Sequence, residues 1–169
     1  GQGSLDGASY AISVSDDGTA LSRNGFSADV VDLAGGTSTT AAGNCFNSTV
    51  LYSPVGSALS AEGRFLAFGC LDRAGTPDDT DGANDLFVWD RTTGTSVLAT
   101  PGTDGLGILA DPSISDDGRF VAYSYGTSAT DGSTYLLDRT TNVTTLIATV
   151  PSVAAVSGDG SLVTFTAVA

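Results

Sequence analysis

The sequence predicts an all-β chain, a β-propeller of four-stranded antiparallel blades with three full blades and a partial fourth. Three observations carry this. A Ser three residues ahead of a Gly recurs four times, at Ser15, Ser60, Ser115 and Ser157. Three later strands each end in Asp, at Asp32, Asp90 and Asp138. The strands between are apolar on both faces, so each sheet needs a sheet on either side, and serial stacking of similar sheets supplies that.

One whole unit lies between Ser60 and Thr100. It reads S-A-E-G-R-F-L-A-F-G, an acidic loop P-D-D-T-D-G-A-N, then D-L-F-V-W-D-R-T-T-G-T-S-V-L-A-T. The first element is a short strand before each turn: A-I-S-V-S, G-S-A-L-S, P-S-I-S and V-A-A-V-S. The turns S-D-D-G, S-A-E-G, S-D-D-G and S-G-D-G follow; a Ser or acidic side chain bonds the turn backbone, and the Gly takes the left-handed conformation. The second strands are T-A-L-S-R, R-F-L-A-F, R-F-V-A-Y and S-L-V-T-F. The first of these carries Ser22 and Arg23 where the others have Ala or Thr and then an aromatic, so it is expected to be partly exposed.

The third strands are A-D-V-V-D, D-L-F-V-W-D and S-T-Y-L-L-D. Two of them run into D-R-T-T-G and D-R-T-T-N hairpins, where Gly94 and Asn142 are the two residue types that most readily take positive φ. The fourth strands are G-T-S-T-T-A-A, T-S-V-L-A-T and V-T-T-L-I-A-T. The units therefore fall at about 10–43, 55–100, 110–150 and 152–169, within a single domain 1–169, at the ~40 to 45 residue period of a four-stranded repeat.

The pattern S-x-D-G-R-F-V-A-Y followed by D-L-F-V-W-D-R-T-T-G-T resembles the WD-like repeats of TolB-type β-propellers in bacterial exported proteins, from Tyr10 onward. The resemblance implies the fold and an exported setting, extracellular or periplasmic. It does not imply an activity, because propellers host binding, scaffolding and catalysis alike.

Charge bounds the partners. The net charge is −13, and all six basic residues are Arg. Phosphate backbones and anionic membrane surfaces are disfavoured, whereas cations and a salty or calcium-containing exterior suit such a surface. No run of 18 apolar residues is present, so no membrane insertion is expected. The N-terminus has neither an initiator Met nor a basic flank and reads as a mature product or an excised domain.

Chemistry is bounded by absences. Without His or Lys, a Ser-His-Asp triad, a Lys Schiff base and an imidazole metal site are excluded within this chain. Carboxylates remain, but nothing in their spacing sets a pair across a sugar-sized cleft, so no catalytic residue is assigned. The stretch Pro77 to Asp85 is the one constellation that could hold an ion: Asp79, Asp81 and Asp85 alternate along a loop that turns at Gly82. It resembles the calcium loops of integrin-type propeller repeats, with Pro77 in place of their first Asp. The bland reading is a polar loop whose Asp85 caps a strand.

Cys45 and Cys70 admit a disulfide or two buried thiols. Asn47 and Asn142 fit the N-glycosylation pattern, which a Thr-rich chain also produces by chance. Two functional readings follow. One is a non-catalytic binding and structural module that presents the long loops at Cys45 to Pro54, Leu71 to Asn84 and Thr100 to Asp111 to a protein or glycan ligand and completes its ring as a homo-oligomer or filament. The other is a polysaccharide-binding or carboxylate-based glycan-active domain.

Overall fold

The computed structural model describes residues 11–24, 27–43, 45, 56–71, 79–100, 105–128 and 130–166. They form four antiparallel sheets in chain order. Sheet I is β1 (Ala11–Val14), β2 (Ala20–Asn24), β3 (Ser27–Asp32) and β4 (Ser38–Gly43). Sheet II is β5 (Ser57–Leu59), β6 (Phe65–Leu71), β7 (Asn84–Asp90) and β8 (Thr95–Leu98). Sheet III is β9 (Gly107–Ile108), β10 (Ser113–Ile114), β11 (Phe120–Ser128), β12 (Asp131–Asp138) and β13 (Val143–Ala148). Sheet IV is β14 (Ala154–Val156) and β15 (Val163–Phe165).

The first turn of each sheet is closed by its own side chains. Ser15 Oγ accepts from the amide of Ala20 at 2.9 Å and donates to Asp17, which in turn accepts from the amide of Thr19. The same triangle recurs with Ser115, Asp117 and Arg119, and with Ser157, Asp159 and Ser161. At Ser60 the Ser bond to Phe65 N persists at 3.0 Å while Glu62 stands in the Asp position. The later hairpins are built alike. Asp32, Asp90 and Asp138 each accept a backbone amide within the turn, and the left-handed position is filled by Gly94 at φ 70° and Asn142 at φ 55°.

Packing follows the period of two. In β6, Leu66, Phe68 and Cys70, with Phe87 and Trp89 of β7, face sheet I, where Ala20 and Val30 complete the cluster. Ala67, with Leu86 and Val88 of β7, faces sheet III and meets Ile114, Val121 and Tyr123. Phe68 and Phe87 are fully buried and stack at 5.8 Å between centroids; burying each is worth roughly 2 kcal/mol. Sheet III meets sheet IV through Ala122, Ala154 and Val156, with Phe120, Leu136 and Val163 beside them.

β2 is partly exposed, as expected, at Leu21 and Arg23. Ser22 between them is fully buried, and its hydroxyl pairs with that of Ser57 in sheet II at 2.8 Å. Asn24 beside it donates to the carbonyl of Gly69 at 3.0 Å. Around Ser22 the I–II junction therefore satisfies polar groups beside the apolar cluster that the two sheets share, and on the opposite face of β2 Arg23 is paired with Asp29. One expectation needs correction: the Thr100 to Asp111 connection is not all loop, because it holds β9. β9 pairs β11 at Tyr125 and Gly126 above β10, so the innermost strand of sheet III is continued past an interruption.

Antiparallel order puts the four Ser-to-Gly turns and the hairpins after Asp32, Asp90 and Asp138 at one end of the stack, the tight-turn end. The connections between second and third strands, and those between sheets, gather at the other.

Candidate functional site

The long-connection end holds the acidic cluster. Asp79 and Asp81 precede β7, and Asp85 is its second residue. One carboxylate oxygen from each lies within 4.8 Å of the others. Oxygens bound to one calcium at ~2.3 to 2.6 Å can be no more than about 5 Å apart, so this spacing matches donors around a shared hard cation. Asp79 and Asp85 are buried, and Asp81 is half-buried.

The chain orients these groups from two sheets. Thr100 Oγ1 accepts from Leu86 N at 3.0 Å and donates to Asp85 at 2.5 Å, and the Tyr125 hydroxyl of sheet III donates to the same oxygen at 3.4 Å. Asp81 accepts from Ala83 N within its own loop and from Gly105 N in the connection to sheet III, both at 2.8 Å. Gly107 of β9 lies so near the backbone of Asn84 that a Cβ there would sit 3.3 Å from its atoms. The three acids are thus held between sheets II and III, and not in a loop standing free.

Thr100, Tyr125 and Gly105 were not singled out by sequence reasoning. Thr100 closes its unit, and a Thr also ends the third one at Thr149, which was the available signal. Tyr125 and Gly105 reach the site only through sheet stacking.

Cys45 and Cys70 form a disulfide, with Cα atoms 4.3 Å apart, that ties the exit of sheet I to β6. Asn142 sits on the exposed β12–β13 hairpin, and Asn47 lies outside the described residues. Asp131, the acid of the shorter loop in the third unit, is exposed and accepts from Thr127 Oγ1.

The tight-turn end carries paired charges. Arg64 bonds Asp90 through two nitrogens at 3.2 and 2.8 Å, and Arg119 bonds Asp138 at 3.0 and 2.7 Å. The Arg64 guanidinium first, and the turn amides after it, hold Asp90 at about 2. Arg119 holds Asp138 well below the usual carboxylate range. These pairs brace the hairpins and leave their acids fully engaged. Among the described residues, no helix is long and apolar enough to cross a membrane.

No protein-family model matches the sequence, and no curated protein does. Solved structures do. A putative TolB from Agrobacterium tumefaciens aligns over 92% of this chain and 52% of its own, at 19% identity and a TM-score of 0.62. A structure from a study of two prolyl endopeptidases aligns over 91% of this chain and 24% of its own, at 14% identity and a TM-score of 0.59. The chain thus spans about half the length of that TolB. The likeness shows the fold, an all-β antiparallel stack of the TolB propeller type, consistent with the turn and strand motifs read from the sequence.

Proposed function

We propose that this TolB-like chain is a non-catalytic, exported binding and structural module, one propeller domain over residues 1–169 that completes its array by self-association. The observation that carries the reading is the acid cluster of Asp79, Asp81 and Asp85, held between sheets II and III at the end where the long connections gather. Exposed apolar side chains on sheets I and IV, Ile12, Val14, Val153 and Leu162, give self-association a surface to bury.

The disulfide supports an extracellular or periplasmic setting, since such bonds persist in oxidising compartments. Calcium is the cofactor the carboxylate cluster suits. The long-connection end, with that cluster in it, is the surface offered to a protein or glycan ligand. A polysaccharide-binding role is the second reading, favoured by the acids standing beside these connections.

Mass in solution over a concentration series tests the main reading. Oligomers are expected for the intact chain, with loss of assembly on deletion of residues 161–169; a monomer throughout would refute it. A glycan screen with and without calcium tests the second, and hydrolysis products would overturn the non-catalytic assignment.

A further inference from the structure

Seven aspartates stand directly before a Gly, at Asp6, Asp17, Asp81, Asp104, Asp117, Asp131 and Asp159. An Asp so placed is open to a spontaneous rearrangement. The Gly nitrogen attacks the side-chain carbonyl carbon, a C–N bond forms, and the carboxylic hydroxyl leaves with the amide hydrogen as water. Water then opens the five-membered imide. Where the bond from nitrogen to the main-chain carbonyl breaks, the chain runs on through the side chain as isoaspartate, with one extra backbone carbon. The water lost in closing is regained on opening, so nothing else is consumed. Gly favours the ring because it sets no side chain against it and its backbone turns freely.

Three of the seven lie in the Ser-to-Gly turns, and there both reacting groups are occupied. The nucleophile is the turn amide: Gly18 N, Gly118 N and Gly160 N donate to the carbonyls of Ser15, Ser115 and Ser157, each at 2.9 Å. The electrophile is pinned by one oxygen. It accepts from the hydroxyl of the same Ser at 2.7 Å and from the amide two residues on, that of Thr19, Arg119 or Ser161. Ring closure requires the protonated acid, and these bonds favour the ionised one. All three carboxyls are lowered, chiefly by the Ser hydroxyl at Asp17 and Asp159 and by the Arg119 amide at Asp117. Sheet II reaches the same end by composition, since Glu62 stands before Gly63 and its longer side chain would have to close a six-membered ring.

The stack depends on these turns. The turn Gly is a notch for the preceding sheet: a Cβ on Gly118 would overlap the Phe65 ring, and one on Gly160 the ring of Phe120. An extra backbone carbon beside that Gly would move the notch off its ring.

Asp131 is placed otherwise. It is exposed at the β11–β12 hairpin, at the long-connection end, and faces Ser128 beside a register shift between Gly126 and Ser128. Its carboxylate accepts from the Thr127 hydroxyl at 2.7 Å, and among the described residues no backbone amide donates to it. Asp81, by contrast, is held by the amides of Ala83 and Gly105. Asn24 before Gly25 is open to the same closure with loss of ammonia, but it is buried and its Nδ2 donates to the carbonyl of Gly69. Asp6 and Asp104 lie outside the described residues. We propose that Asp131 is, of the five described aspartates before Gly, the site of spontaneous isomerisation, and that Ser15, Ser115 and Ser157 keep the turn aspartates from the same reaction.

The test is site-resolved peptide mapping of the intact chain after storage, folded and in urea, with isoaspartate read by its resistance to Asp-specific cleavage. In urea the five sites are expected to react alike. In the folded chain Asp131 is expected to isomerise roughly tenfold or more faster than Asp17, Asp117 and Asp159. Ser157→Ala takes the hydroxyl from Asp159 and is expected to raise isomerisation there severalfold, leaving Asp17 and Asp117 as slow as before. If that variant does not fold by circular dichroism, Ser161→Ala, which removes a second hydroxyl from the same carboxylate, takes its place. Turn aspartates that react as fast folded as in urea, or an Asp131 as slow as they are, overturn the proposal. An unchanged Asp159 in the folded variant overturns the role given to the Ser.

Discussion

The ring of Phe65 fills the space that a Cβ of Gly118 would need, with Arg139 stacked on the ring and donating to the carbonyl of Gly118. Three residues from two sheets thus lock one junction. Gly118→Ala is expected to incur both the left-handed strain of φ 73°, about 1 to 2 kcal/mol, and overpacking of about 1 to 3 kcal/mol. Gly18→Ala, at φ 68° with open space around it, is expected to show only the first. Urea unfolding of the two variants reads the difference, and equal losses would deny the notch its role.

Calcium should raise the melting temperature through the acid cluster. Asp81→Ala is expected to shrink that rise, because Asp81 brings a third carboxylate and ties Gly105 to the loop. Asp131→Ala, outside any cluster, is expected to leave it intact. A calcium-insensitive melting temperature in the unmutated protein would remove the site.

The Cys45–Cys70 bond closes a loop over a sequence separation of 25 residues, worth about 3 kcal/mol in denatured-state entropy. Thiol labelling in denaturant without reductant is expected to find neither cysteine. Reduction should lower the unfolding midpoint by a corresponding amount, and no change would mean the junction is already held by packing.

Acid should weaken the tight-turn end in a defined window. Asp90 is lowered from 3.8 to about 2 by Arg64, and Asp159 to about 2 chiefly by the hydroxyl of Ser157. Carboxylates with lowered values stabilise the fold fully above the unfolded value and lose that contribution as pH falls through the folded one. The stability gap between the intact protein and Arg64→Gln is therefore expected to be constant above pH ~5, to shrink as pH falls through the folded value, and to vanish by about pH 1. A gap that persists below that pH would assign the effect of Arg64 to its stacking on Phe65, 4.6 Å from the ring centre, and not to the ion pair.

Much of this architecture was legible because its local devices are chemical. Asp32, Asp90 and Asp138 end their strands as read, and Gly94 and Asn142 take the positive φ that their types imply. The partial exposure of β2 was legible in its composition, but the burial of Ser22 was not, because the partner that satisfies it, Ser57, lies 35 residues away in the next sheet. The acids at 79, 81 and 85 could be picked out by spacing. Their setting between Thr100, Tyr125 and Gly105 could not, since only stacking brings those residues together.

The second residue of each Ser-to-Gly turn runs Asp16, Ala61, Asp116 and Gly158, so acid alternates with small along a row of turns joined by backbone bonds. Loss of the Ala61 unit, or tandem duplication of an acid-bearing one, would set acid against acid in the row. Duplication of two adjacent units would preserve the alternation, so duplication in pairs is a step by which an array of this kind can lengthen without opposing its acids.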